Sequence, residues 1–248
     1  MALLCFYTSL AEADCIITMR WNDDIPYTYM GKKSDIEPVG ISIDIAKQAL
    51  ESIHCQVKLI KMPWARALIE LKAGRIDLIS RAFKKPERSI YANFSTFGFY
   101  SPNVLFILKS DSKKWQVKTL ADLTKKDFKL GVQIGVSYGQ DFDQLSKNKS
   151  FSKHLVRQSN RESLWKMLSF KRIDGVLADQ TTGLLELREL GLHEEISVMP
   201  LSLSSKPAFF AFSKKTTSAS FVKRFDDALR KMQNNGEIKK ISQKYLGD

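Results

Sequence analysis

Residues 63–94 hold the side chains best suited to chemistry. They set out, in order, Pro63-Trp64 at a helix start, a helix stop at Gly74, the apolar run Ile76-Asp77-Leu78-Ile79, and the loop Lys85-Pro86-Glu87-Arg88 before the aromatic segment Ala92-Asn93-Phe94. The planar fork of Arg88 can pair with a carboxylate through two parallel hydrogen bonds, a geometry that lysine cannot reproduce. Trp64 offers a flat surface to an apolar or cationic group. The pair suits a protein that holds a small anion. The competing readings are a solvated surface charge for Arg88 and core packing for Trp64.

The elements that must position these groups follow from pattern. Leu68 and Leu71 share one helical face until Gly74 supplies the left-handed residue that ends a helix. In open α/β sheets ligands sit beyond the carboxyl ends of strands, so residues 80–88 are where binding groups should emerge. Strand 16–20, helix 43–53, strand 56–60, helix 65–72 and strand 76–79 make a βαβαβ unit. Tyr100-Ser101-Pro102 breaks the pattern, and 104–109 reads as a crossing strand. A second unit follows: strand 129–133, a helix from Ser137, strand 154–158, helix 161–170, strand 175–178, helix 181–190 and strand 196–200. The apolar run 208–212 then re-crosses, and two last helices should pack on the first lobe. Two lobes are therefore expected, the first from 15–102 and 204–248 and the second from 103–203. A cleft between them could close by hinge motion.

Composition narrows the function classes. The 248 residues are enough for two domains, each with its own core. No run approaches the roughly 20 apolar residues of a membrane span. The formal charge of +12 raises a nucleic-acid reading. Its lysine pairs, such as Lys84-Lys85 and Lys239-Lys240, are dispersed, however, and no aromatic-interleaved basic stripe or recognition-helix pattern accompanies them. No nucleic-acid partner is expected. His54, His154 and His193 lie far apart, and neither a metal nor a cofactor is expected. No Gly-x-Ser-x-Gly turn or phosphate loop occurs. Residues 1–14 read as the remnant of a signal peptide, with the apolar Ala2-Leu3-Leu4-Cys5-Phe6-Tyr7 and a small-x-small Ala11-Glu12-Ala13.

Several segments, in order, resemble the bacterial solute-binding proteins of the amino-acid transport type, also called family 3 extracellular or type 2 periplasmic binding proteins. They are Gly40-Ile41-Ser42-Ile43-Asp44-Ile45-Ala46 at a helix start, Leu71 to Asp77, the turn Gly131-Val132-Gln133-Ile134-Gly135-Val136-Ser137, Ile173-Asp174-Gly175-Val176-Leu177-Ala178-Asp179, and the closing helices with Asn235-Gly236 between them and Lys244-Tyr245-Leu246-Gly247 at the end. The resemblance implies a two-lobed α/β fold, each lobe a doubly wound, mostly parallel sheet with flanking helices, joined by two hinge crossings. It implies capture of an amino acid or related small carboxylate in the interlobe cleft by a monomer, and delivery to an ABC permease in the periplasm of a Gram-negative bacterium, without catalysis. The same scaffold also serves enzymes resembling cyclohexadienyl dehydratase, where a cleft carboxylate, here Asp179, would be the general acid or base. A third reading is a sensing domain that feeds a signalling partner.

Carried over position by position, the resemblance makes Arg88 the grip on the ligand carboxylate and Asp179 the receptor for its ammonium. Ser137 and the backbone around Gly135 and Val136 become an anion contact at a helix N-terminus, and Trp64 a wall of the cleft. Some relatives share the cysteine pair, so Cys15 and Cys55, at the starts of adjacent strands, are expected to form a disulfide. The chain departs from the pattern at Ser80-Arg81-Ala82-Phe83, where small hydroxyl residues are usual, so Arg81 and Phe83 are expected to face the cleft. The alternative for Arg81 is a surface salt bridge. The aromatic that often covers the ligand falls near Asp24, leaving Trp21, Tyr27 or Tyr29 for that part, and Val136 stands where a Thr usually donates. An extra cleft arginine suggests a ligand with added negative charge.

Overall fold

The structure, a computed structural model, describes residues 15–31, 36–115, 117–204 and 206–246. The leader read in residues 1–14 lies outside these. In chain order the elements are β1 (Cys15–Trp21), β2 (Tyr29–Met30), β3 (Pro38–Val39), α1 (Ile41–Glu51), β4 (Cys55–Lys61), α2 (Trp64–Ala73), β5 (Leu78–Phe83), α3 (Pro86–Ser89), β6 (Ala92–Phe99) and β7 (Asn103–Leu108). After two short 3-10 turns come β8 (Leu130–Gln133), α4 (Gln140–Leu145), α5 (Lys149–Ser152), β9 (Leu155–Gln158), α6 (Arg161–Ser169), β10 (Gly175–Asp179), α7 (Gln180–Glu189), β11 (Ile196–Ser204), β12 (Ala208–Ser213), α8 (Ala219–Asn234) and α9 (Glu237–Leu246).

Two five-stranded sheets result, in the orders β4-β1-β5-β12-β6 and β11-β7-β10-β8-β9. Each is parallel apart from one strand. β12 runs antiparallel between β5 and β6, and β7 antiparallel between β10 and β11. These reversed strands are the ones by which the chain arrives from the opposite lobe. The crossings lie side by side, because Phe99 pairs with Ala208 in the first sheet and Asn103 with Ser204 in the second. Such paired short connections suit a hinge.

Each sheet has its own core. In the first lobe, Phe210 and Phe212 of β12 meet Phe225 of α8 edge-on at 5.3 and 4.9 Å, and Ile43, Ile45 and Leu50 of α1 close the same layer. Fully burying such a side chain stabilises the fold by roughly 1.5–3 kcal/mol. The last two helices share this core: the buried stripe Phe221, Val222, Phe225, Leu229 and Met232 recurs at helical spacing in α8, and Ile238 of α9 joins it. In the second lobe Phe106 of β7 packs edge-on against Trp165 of α6 at 5.1 Å. β1 and β4 are joined in register by a Cys15–Cys55 disulfide with the Cα atoms 4.5 Å apart. Closing a loop over a sequence separation of 40 residues stabilises by about 4 kcal/mol in the chain-entropy account.

The structure corrects two expectations here. The third strand does not end at Ile79 but continues through Phe83, so Ser80–Phe83 are ladder residues rather than loop. The helix expected from Ser137 begins only at Gln140, after Gly139 at a φ of 108°. Gly74 does end α2 in the left-handed region, at φ 75°.

Candidate functional site

The carboxyl ends of both sheets point at one another across a cavity of about 240 Å³. This is where open α/β sheets place ligands. Trp64, Arg81, Phe83, Arg88, Val136, Ser137 and Asp179 all line it. Tyr27 does not. Its ring lies behind Arg81, whose guanidinium carbon is 3.6 Å from the ring centroid, and packs edge-on against Phe99. Tyr27 therefore supports a cleft residue rather than covering a ligand.

At one end of the cavity two arginines flank an indole. Pro63, extended at φ −60°, starts α2 and sets Trp64 on its first turn. Arg20 of β1 and Arg88 of α3 lie 5.5 and 5.9 Å from the Trp64 ring centroid. Arg88, 6% exposed, donates to the carbonyls of Phe83 and, across the lobes, of Gly135, each at 3.2 Å. Trp64 Nε1 donates to the same Gly135 oxygen at 2.9 Å. Gly135 sits at φ +79°, and a Cβ there would meet Ala65 Cα and Trp64 Cδ1 at 3.3 Å. Arg20, 4% exposed, donates through Nε to Met62 O at 3.0 Å. Among the described residues neither arginine has a carboxylate partner. Burial lowers both. The Arg20 guanidinium falls to about 10, with Asp24 opposing and Arg161 and Arg81 reinforcing the shift.

The other end is an alternating chain of charge. Arg81 owes its aim to a bulge: β5 has Ser80 and Arg81 opposite the single Phe210 of β12, and Arg81 takes φ 57°. It forms an ion pair with Asp179 at 2.7 Å and donates to Asp24 at 3.2 Å and to Thr182 Oγ1 at 3.4 Å. Asp24 in turn accepts from Arg161 at 2.6 Å, and Arg161 grips Glu186 with two bonds of 2.6 and 2.7 Å. Trp165 Nε1 steadies the same Glu186 at 2.6 Å. Asp24 is fixed by a tight turn in which its carbonyl accepts from Tyr27 N and Thr28 N at 2.9 and 3.0 Å. Burial pushes its carboxyl up, but Arg161, Arg81 and Arg20 together override that and hold it below the ordinary carboxylate value. Arg81–Asp179 and Asp24–Arg161 both join the lobes, as does Lys85–Asp143 at 2.5 Å nearer the surface.

Several sequence expectations change. Asp179, read as an open ammonium receptor, is paired with Arg81, and its other oxygen caps α7 through Thr182 N at 2.9 Å. Ser137 is not at a helix N-terminus. Its hydroxyl donates to Asp143 at 3.3 Å, and Val136 N donates to Gln133 O at 3.3 Å, so one N–H of the expected backbone anion contact is already engaged within the chain. The surface alternative for Arg81 fails, since its partners are cleft residues. Arg20, Asp24, Arg161 and Glu186 went unread. Arg20 had a signal, a charge inside the apolar strand Cys15–Trp21, and Asp24 stood where an aromatic is usual. Glu186 had none, because one acid on a helix is ordinary.

The profile described as bacterial extracellular solute-binding proteins, family 3, matches residues 17–248. The chain belongs to this family. Members of the family are extracellular binding proteins, and among the described residues no helix is long and apolar enough to cross a membrane. The chain is 23% identical to the arginine-binding extracellular protein ArtP of Bacillus subtilis (strain 168), covering 88% of this chain and 85% of that one. It is 22% identical to the L-cystine-binding protein TcyJ of Escherichia coli (strain K12), over 90% and 79%. Among solved structures, an ABC uptake transporter substrate-binding protein from Streptococcus pneumoniae with bound histidine superposes with a TM-score of 0.78, at 26% identity, over 94% and 93% of the two chains. A histidine kinase sensor domain shares the fold at TM-score 0.79 and 17% identity, covering 94% and 96%. The type 2 periplasmic binding protein fold is thus established.

Proposed function

We propose that this chain captures a small solute bearing a carboxylate, an amino acid or a close relative of one, between its lobes, and hands it as a monomer to an ABC permease in the periplasm of a Gram-negative bacterium. The observation that carries this reading is the buried guanidinium of Arg88, facing the interlobe cavity with only backbone carbonyls as acceptors among the described residues. A carboxylate arriving there would replace weak neutral acceptors with a charge-assisted pair worth roughly 1.5–3 kcal/mol per bond. The names of ArtP and TcyJ support a ligand of amino-acid size. Binding without turnover fits the cleft acids: Asp24, Asp179 and Glu186 are each paired with a guanidinium, and Asp24 is shifted down, away from a general acid's range.

A thermal-shift panel of amino acids, dicarboxylates and polyamines tests the reading. A true ligand at 100 times its dissociation constant adds about 2.7 kcal/mol of stability. A panel in which no carboxylate raises the melting temperature overturns it.

A further inference from the structure

Four guanidiniums and six carboxylates line the cavity; Asp23, Glu162 and Glu189 are exposed, and the inner acids are not evenly matched to the guanidiniums. Asp24, Asp179 and Glu186 are taken by Arg81 and Arg161. Arg20 and Arg88 form no ion pair among the described residues, although Asp24 attracts Arg20 from beyond contact distance, and the Nη groups of Arg20 make no hydrogen bond there. An ammonium group seeking the inner acids Asp179 or Asp24 would have to compete with Arg81, costing it one of its two partners where its side chain is only 13% exposed. A buried charge that loses its partner is expensive. An acid group entering beside Trp64 meets the opposite situation. It finds two desolvated cations that line the same cavity, each within 6 Å of the Trp64 centroid.

We propose that the cleft takes a small dicarboxylate lacking a free ammonium group, with one acid on Arg88 and the other on Arg20, and that it rejects zwitterionic and cationic amino acids. Arg81 fills the ammonium place from within the chain, and Arg20 determines specificity. This rests on the binding function proposed above and narrows its ligand. Desolvation lowers the Arg20 guanidinium to about 10, with Asp24 opposing the shift.

The test is calorimetric titration of the full chain, refolded free of co-purifying solute, with 2-oxoglutarate and L-glutamate. These share a carbon skeleton and both acids and differ at Cα, ketone against ammonium. The expected result is binding of 2-oxoglutarate, and of glutarate, at least tenfold tighter than L-glutamate, with no heat from L-arginine or L-glutamine. Arg20→Met should weaken 2-oxoglutarate tenfold or more, and Arg20→Lys less. If Arg20→Met does not fold, the Arg20→Lys change and the ligand ratio on the unaltered chain decide. Tighter binding of L-glutamate, L-glutamine, L-histidine or L-arginine overturns the inference and leaves the binding function standing. Unchanged 2-oxoglutarate affinity in Arg20→Met removes Arg20 from the site, which also overturns it. Binding of no solute at all removes both.

Discussion

The two ends of the cleft use the same residue type in opposite ways. Around Asp24, arginines are neutralised within the protein and tie one lobe to the other. Around Trp64, arginines are desolvated and, among the described residues, hydrogen-bond to backbone carbonyls only. The first arrangement lets the lobes come together on their own side chains. The second keeps its charge available for something from outside. The charged ties between the lobes thus sit on residues other than those offered to the ligand, while Arg88 and Trp64 reach the facing lobe only through the neutral carbonyl of Gly135.

Substitutions at the two ends should separate these roles. Arg88→Ala should cost about 3 kcal/mol of ligand binding, roughly 100-fold in affinity by titration, while small-angle scattering shows the ligand-free lobes still closed. Equal losses of affinity and closure would erase the distinction. Asp24→Asn should do the reverse. Each guanidinium keeps one acid, so the fold should lose only about 1–2 kcal/mol in urea, below the loss from a fully broken buried pair. The ligand-free protein should open measurably, and affinity should change less than tenfold.

Acid gives a finer version of the same experiment. The Asp24 carboxyl is held below its unfolded value, so its contribution is complete above about pH 4 and is lost as pH falls through the lowered folded value. Closure followed by scattering should stay flat from pH 7 to about pH 4.5 and decline below about pH 4. Asp24→Asn should remove much of that decline. The smallest effect is expected at Lys85→Ala. That interlobe pair with Asp143 is partly exposed, so opening should shift by less than about 1 kcal/mol and the shift should fade with added salt.

The architecture was legible in the sequence because period and punctuation survive locally. Gly74, the apolar strand 76–79 and the α8 stripe each declare their element without tertiary help. The site was legible only in part. Trp64, Arg88, Arg81 and Phe83 could be placed in the cleft, but their partners could not, since an ion pair such as Asp24–Arg161 joins residues far apart in the chain. The bulge at Arg81 was invisible for a related reason: it exists through β12, which returns from the other lobe to pair with β5. Ser137 misled because a helix start was inferred from a motif, whereas Gly139 delays the helix to Gln140.

Gly135 gives its one carbonyl to both Trp64 and Arg88 from the facing lobe, with the first α2 residues pressed against its Cα side. A methyl group there would act as a doorstop, and the left-handed backbone would resist it as well. The narrowest gap the two halves can reach is therefore set by the absence of a side chain, and a single alanine at this point should leave the jaw ajar whatever solute is offered.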